Sequence, residues 1–357
     1  MLKSYQNLPN RIRVGNKYVG EGEPTFIIAE IGNNHNGDYF LGKKTIEQAR
    51  LAGADAVKFQ KRTVEDVFAR ELLDRVQTKD QIYGKTYEEY RRKLELKDED
   101  FIKLKKYAES LGLIFFATPF DKKSADFLEY IGSEAYKIAS FDVTHLSLLE
   151  HVAKKGKPIF LSVGMSDWDE IDEAIKTILQ YNNQLIVKHC VTMYPVPDDK
   201  LNISTVKFYK ERYSPLPVGY SGHEIDILPS IMAVVLGANS IERHFTLDKN
   251  LPGPDHGSVS INPKEFKSMV AGIRKAEKVL GKPMKGLWDE EKRVRDKHSK
   301  SIVSAVDMPV GTILTLDKLV FKSPGYGIKP SDINNVLGKK TKIDIKSDTV
   351  IINDYLE

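Results

Sequence analysis

The chain has 357 residues, and its 54 Lys and Arg stand against 50 Asp and Glu for a net charge of +4, a balance that argues against a nucleic-acid or membrane surface. That length suits one large domain of about 250 residues followed by a small one. The single cysteine, Cys190, rules out an internal disulfide and fits a reducing compartment; no apolar run reaches the ~18 residues of a membrane span and MLKSYQNLPNRIRV lacks a signal-peptide core, so the cytoplasm is the expected location.

Ile12 to Gly20 alternates apolar and polar residues around Gly15-Asn16, which predicts a short hairpin placed to plug or edge the main domain. From Thr25 short apolar runs alternate with stretches of helical spacing. The runs are FIIAE, AVKFQ, IFFAT, AYKIAS, PIFLSVG, LIVKHC, PVGYS and NSIER. Helices are predicted over Lys43 to Leu51, Asp98 to Leu111, Lys123 to Ile131, Ser147 to Lys155, Asp169 to Tyr181, Ser204 to Tyr213, Ile227 to Leu236 and Pro263 to Leu280. Eight such pairs make a (β/α)8 TIM barrel of class α/β the expected fold, with an open doubly wound sheet as the alternative.

Arg62 to Lys97 is too long for an ordinary βα loop, and its charges and tyrosines predict an ordered excursion that lines or covers a site. The expected boundaries are a barrel domain over 1–281, a linker over 282–298 with a helical piece near Trp288 to Lys297, and a small, mostly β domain over 299–357. In that last part the runs SIVSAV, TILTL, TKIDI and TVII are punctuated by Pro and Gly.

Reactive groups of a barrel gather where strands end. The first run ends in Glu30, a plausible base or water-orienting group that could equally pair with Lys58 on the second. Lys58 and Gln60 lie in the second run, Thr118 ends the third, and Lys137, Ser140 and Asp142 belong to the fourth. Ser162 ends the fifth, Tyr194 follows the sixth, and Ser221 ends the seventh. A buried ammonium must meet an acid or a ligand anion, so Lys58 and Lys137 with these hydroxyls outline a site for a small substrate carrying carboxylate and phosphate. His223 and His244 follow neighbouring strands of one βαβ unit and so emerge on one face, where two imidazoles suit a divalent ion left open to water and substrate; Asp255 could join them.

FIIAEIGNNHNGD, GADAVKFQ, AYKIAS, LSVGMS, CVTMYPVP, GYSGHE, VLGANSIERHFTLD and PGPDH, in this order, resemble the sialic acid synthases. The tail, with MPVGTILTLDKLVFKSPGYGI and LGKK, resembles that family's antifreeze-like (SAF) domain. The resemblance implies an N-acetylneuraminate synthase that condenses phosphoenolpyruvate with the open-chain aldehyde of an N-acyl hexosamine, N-acetylmannosamine, to give a nonulosonic acid and phosphate by C–O cleavage. It implies Mn2+ or Mg2+ on His223 and His244, and Glu30 acting on the attacking water. Lys58, Thr118 and Lys137 would hold the phosphoenolpyruvate carboxylate, Ser140, Ser162 and Ser221 its phosphate, and Gln60, Tyr194 and Asp255 the sugar or metal-bound water. A domain-swapped homodimer is also implied.

Four departures stand out: Ala139-Ser140-Phe141-Asp142 after the fourth-strand lysine, Thr192 where some members have asparagine, Ser323 where many have arginine, and no counterpart within Arg62 to Lys97 of the family's phosphate-contacting asparagine. KIASFD leans toward diacetamido hexoses and hence legionaminic or pseudaminic acid, while GYSGHE and PGPDH lean toward N-acetylmannosamine. A metal-dependent pyruvate aldolase and a catalytically silent sugar-phosphate-binding protein are the rival readings.

Overall fold

The computed structural model describes residues 7–78 and 81–357. They form two compact units, one ending at Gly281 and the other spanning Lys282–Glu357. No helix among the described residues is long and apolar enough to cross a membrane.

The first unit opens with an antiparallel hairpin, β1 (Arg11–Val14) and β2 (Lys17–Gly20). Gly15 turns it with φ +57, and a Cβ there would stand 3.0 Å from Ile114 Cγ1, so glycine serves both the turn and the close approach. Eight parallel strands follow: β3 (Phe26–Gly32), β4 (Ala56–Lys61), β5 (Ile114–Pro119), β6 (Tyr136–Ile138), β7 (Ile159–Ser162), β8 (Leu185–Cys190), β9 (Val218–Gly222) and β10 (Ser240–His244). They close in sequence order, with β10 pairing β3. The barrel is therefore closed, and the open-sheet alternative falls.

Alternation along the strands sorts their side chains. Ile27, Val57, Phe115, Ile159, Val187 and Ile241 face outward into one core shared with the surrounding helices. The intervening residues face inward, and at the N-terminal end of the barrel they are apolar. Phe26, Ile28, Ala56, Phe116, Phe160 and Ile186 form a separate cluster with Ile12, Val14 and Val19 of the hairpin. The hairpin is thus a plug. Phe160 stacks on Phe116 and Phe26 at 5.2 and 6.0 Å, and each large side chain so buried contributes about 1.5–3 kcal/mol.

Helix ends follow capping groups more closely than apolar spacing. The first helix runs Tyr39–Leu51 and starts four residues before the predicted Lys43, because Asp38 caps it by accepting from the Leu41 N–H at 2.8 Å. The excursion holds helices Val64–Val67, Arg70–Leu73 and Tyr87–Leu94, the last opened by a capping box between Thr86 and Glu89. It is tied down at Tyr83, whose hydroxyl donates to the Pro252 carbonyl at 2.8 Å. The same carbonyl accepts from Asn36 Nδ2 at 2.8 Å.

The second unit has a helix, Asp289–His298, and an antiparallel pair, β11 (Ser301–Ser304) with β12 (Leu319–Lys322). The unit is mostly β as expected: SIVSAV supplies β11, while TILTL, TKIDI and TVII pair through isolated bridges, Ile313 with Lys340, Thr341 with Leu356, Ile345 with Met308 and Val350 with Val303. Positive φ at Gly311 and Gly338 bends the chain before a ladder can extend. Ile302, Met308, Leu314, Leu319, Ile345 and Ile351 pack into this unit's own core.

Candidate active site

Continuing inward along the same strands, the residues at the C-terminal end become polar, and they meet in a cavity of about 650 Å³. Every candidate residue named from the sequence lines it: Glu30, Lys58, Gln60, Thr118, Lys137, Ser140, Ser162, Tyr194, Ser221, His223, His244 and Asp255.

Its floor is a charged cluster. Lys58 Nζ lies 2.7 Å from Glu30 Oε2, off the ideal hydrogen-bond direction, and 3.0 Å from Thr118 Oγ1. Glu242 is the hub: its carboxylate is 2.6 Å from Lys137 Nζ, 2.7 Å from Lys188 Nζ and 3.5 Å from Lys58 Nζ. Burial opposes ionisation of Glu242, but these three ammonium groups outweigh it and hold the carboxyl well below its usual range. At Glu30 burial wins over the attraction of Lys58, with repulsion from Glu242 added, and the carboxyl is pushed up. Burial lowers Lys137, and brings Lys188 down to about 7, against the pull of Glu242.

Lys188 and Glu242 were not singled out from the sequence. Lys188 sits inside the apolar run LIVKHC, the same signal that marked Lys58 and Lys137, and could have been found by it. Glu242 was visible as a strand-end acid, but its three partners come from three other strands. His189, also on β8, faces away from the cavity and bonds the Leu201 carbonyl at 2.8 Å.

Hydroxyls occupy the neighbouring wall. Ser140 Oγ accepts from the Gly164 N–H at 2.9 Å, leaving its own proton to donate, and Ser162 Oγ is buried without a partner. Gly164 is required here, since a Cβ would stand 2.2 Å from Thr192 Oγ1. Asp142 also reaches the cavity; its Oδ2 is buried and unpartnered, and burial pushes its carboxyl up to about 7.

The two imidazoles stand together, with ring centroids 5.3 Å apart and the Tyr194 ring 4.3 Å from His223. His223 Nδ1 faces the Val191 carbonyl at 2.8 Å and Cys190 Sγ at 3.9 Å. The carbonyl can only accept, so Nδ1 carries the proton and the lone pair is left on Nε2. His244 Nδ1 is buried with no hydrogen-bond partner among the described residues, 3.9 Å from Asp255 Oδ2. Burial, and then the neighbouring His223, keeps His244 well below the usual imidazole range, hence neutral. Among the described residues no three His, Cys, Asp or Glu side chains are grouped closely enough to hold an ion by themselves. At His223 burial is outweighed by Cys190 and the Val191 carbonyl, and its pKa is raised; the donor set is two imidazoles, with room left for oxygen ligands, and in their neutral forms it suits a borderline divalent ion.

Two family models match the chain: the NeuB family over residues 45–285 and the SAF domain over residues 299–357. The chain is 38% identical to the N-acetylneuraminate-9-phosphate synthase of Homo sapiens over 96% of this chain and 95% of that one. It is 37% identical to the N,N'-diacetyllegionaminic acid synthase of Legionella pneumophila, over 98% and 99% of the two chains. A crystal structure of an N-acetylneuraminic acid synthetase from Leptospira borgpetersenii, 32% identical, superposes with a TM-score of 0.70 over 81% of this chain and 96% of that one. Sequence, barrel and carboxyl-terminal domain agree, and the chain belongs to the NeuB family, whose members include sialic acid synthases and the related legionaminic and pseudaminic acid synthases.

Proposed function

We propose that the protein condenses phosphoenolpyruvate with an open-chain N-acyl hexosamine, releasing phosphate and a nonulosonic acid, with N-acetylmannosamine as the first acceptor to test. The observation that supports this most is the buried floor, where three lysines face two carboxylates. Such a surplus of cations suits a small polyanion.

In this reading C3 of phosphoenolpyruvate attacks the aldehyde carbon, a C–C bond forms, and positive charge develops at C2. Water adds at C2, Glu30 taking its proton, and the C2–O bond breaks to release phosphate with its oxygen. Lys58 and Lys137 hold the carboxylate against that developing charge, while Ser140, Ser162 and Ser221 hold the phosphate. Gln60 bonds Glu30 Oε1 at 2.9 Å and fixes its carboxyl plane. Tyr194 and Asp255 line the acceptor's side of the cavity beside the imidazoles. A divalent ion, Mn2+ or Mg2+, held by His223 and His244 would polarise the acceptor's aldehyde oxygen when bound. His223 Nε2 and the unpartnered His244 nitrogen fit that role.

A diacetamido hexose is the second reading, favoured by Phe141, which lines the cavity yet is 59% exposed and offers apolar surface to an extra acyl methyl. A domain-swapped homodimer belongs to the same proposal, and light scattering of the purified chain tests it. The test of function is phosphate release from phosphoenolpyruvate with manganese, offering N-acetylmannosamine, its 6-phosphate and the diacetamido sugars in parallel. Release with one of them, lost on chelation, supports the synthase. Pyruvate consumption without phosphate would point to an aldolase, and binding without turnover to a silent sugar-phosphate binder.

A further inference from the structure

Among the described residues four Lys and Arg side chains line the cavity, and three of them are matched to carboxylates: Lys58 to Glu30 at 2.7 Å, Lys137 to Glu242 at 2.6 Å and Arg62 to Glu95 at 2.6 Å. Arg91 is the fourth. Among the described residues no carboxylate lies within ion-pair distance of it, and its one hydrogen bond runs from Nε to the Tyr87 hydroxyl at 3.0 Å.

The side chain is nevertheless held in place. Its guanidinium carbon lies 5.2 Å from the Phe68 ring centroid, 5.4 Å from Tyr87 and 5.8 Å from Tyr90, a collar of aromatic faces supplied by the excursion itself. The collar engages the faces and Nε and, among the described residues, leaves the terminal nitrogens without a protein acceptor. The Asp255 carboxyl across the cavity feels the Arg91 charge, but not at ion-pair distance; a planar fork of N–H donors, preorganised and without an ion pair among the described residues, is the arrangement that recognises phosphate through two parallel hydrogen bonds.

We propose that Arg91 anchors the phosphate monoester of a bound substrate, an extension that rests on the synthase reading. Two sources share this chemistry. One is the 6-phosphate of a hexosamine acceptor, which becomes a 9-phosphate once three carbons have been added. The other is the phosphate of phosphoenolpyruvate itself. The floor lysines and the hydroxyls of Ser140 and Ser162 already face the smaller substrate, and Arg91 comes from a different segment, the helix Tyr87–Leu94. That separation favours the acceptor's phosphate.

The experiment uses the full chain with Arg91→Gln and Arg91→Lys. Phosphate release is measured with N-acetylmannosamine and with its 6-phosphate, and binding of N-acetylmannosamine 6-phosphate and of phosphoenolpyruvate is titrated separately by calorimetry. Loss of a charged hydrogen-bonding group corresponds to about 10- to 100-fold in affinity. If the acceptor's phosphate is the target, the ratio of kcat/KM for the phosphorylated over the free sugar falls by that factor in Arg91→Gln and partly recovers in Arg91→Lys. A rise of the same size in KM for phosphoenolpyruvate, with either acceptor, supports the anchor and assigns it to that substrate. Equal effects on both sugars with phosphoenolpyruvate untouched, or no effect on any KM, overturn the proposal. If the unaltered protein releases no phosphate, the synthase reading fails, and the titrations still decide: weaker binding of either phosphate compound in Arg91→Gln, restored by lysine, supports the anchor, and unchanged binding of both overturns it.

Discussion

The two ends of the barrel are made from the same strands, two residues apart. On β3 Ile28 belongs to the hairpin's apolar cluster and Glu30 to the cavity; the same step separates Ala56 from Lys58, Phe116 from Thr118, Phe160 from Ser162 and Ile186 from Lys188. Two strand residues span about 6.6 Å. Over that distance the inside of the barrel changes from stacked phenylalanines, which stabilise the fold, to buried charges, whose desolvation can cost more than their pairing returns. This architecture locates stability and chemistry by depth, so a substitution's effect should depend on which layer it enters.

The largest expected effect is at the polar end. Glu30→Gln keeps shape but not charge and should lower kcat for phosphate release by about 10²- to 10⁴-fold, while thermal unfolding stays close to that of the unaltered protein. An undiminished kcat would remove Glu30 from the chemistry. His223→Ala and His244→Ala should each weaken manganese binding, titrated as the metal alone, by more than the about 10- to 100-fold that outer-shell partners typically account for. Retained affinity in both would dismiss the imidazole pair as a metal site.

At the plugged end the expectation reverses. Phe26→Ala should cost about 3–5 kcal/mol in urea unfolding and leave KM for phosphoenolpyruvate where it was; lost turnover in a protein of undiminished stability would break the division by depth. The smallest effect concerns pH. Asp142 is raised to about 7 in the folded protein, from about 3.9 in an unfolded chain. Between those values the folded state holds a proton that the unfolded state has released, so this group's stabilisation is complete below about pH 4 and is lost as pH rises through about 7. Asp142→Asn should therefore reduce the fall in urea midpoint between about pH 5 and 8, and an unaltered slope would show that Asp142 titrates normally.

The barrel was legible because its signal is local: alternating runs, helical spacing, and lysines standing inside apolar strands. Every site residue drawn from strand ends reaches the cavity for the same reason, since parallel strands all end on one face. What stayed hidden depends on which distant groups meet. Glu242 as a hub for Lys58, Lys137 and Lys188 is a relation among four strands. Arg62 and Arg91 reach the cavity from a segment whose path periodicity does not describe, whereas Asp142 was already visible past the fourth strand. In the tail the β-branched runs marked a mostly β unit, but propensity reports how a residue suits a ladder and not how long that ladder runs, and beyond β11 and β12 the pairing is by isolated bridges.

The Pro252 carbonyl, which accepts from both Tyr83 and Asn36, bears on traffic into and out of the site. One oxygen spends both lone pairs on two different segments, so the stretch after β3, the excursion after β4 and the stretch after β10 share a single knot. Admission of a bulky sugar by displacing any one of them requires releasing a bond that also restrains another. Movement of Pro252 itself would accordingly free the excursion and the stretch after β3 together.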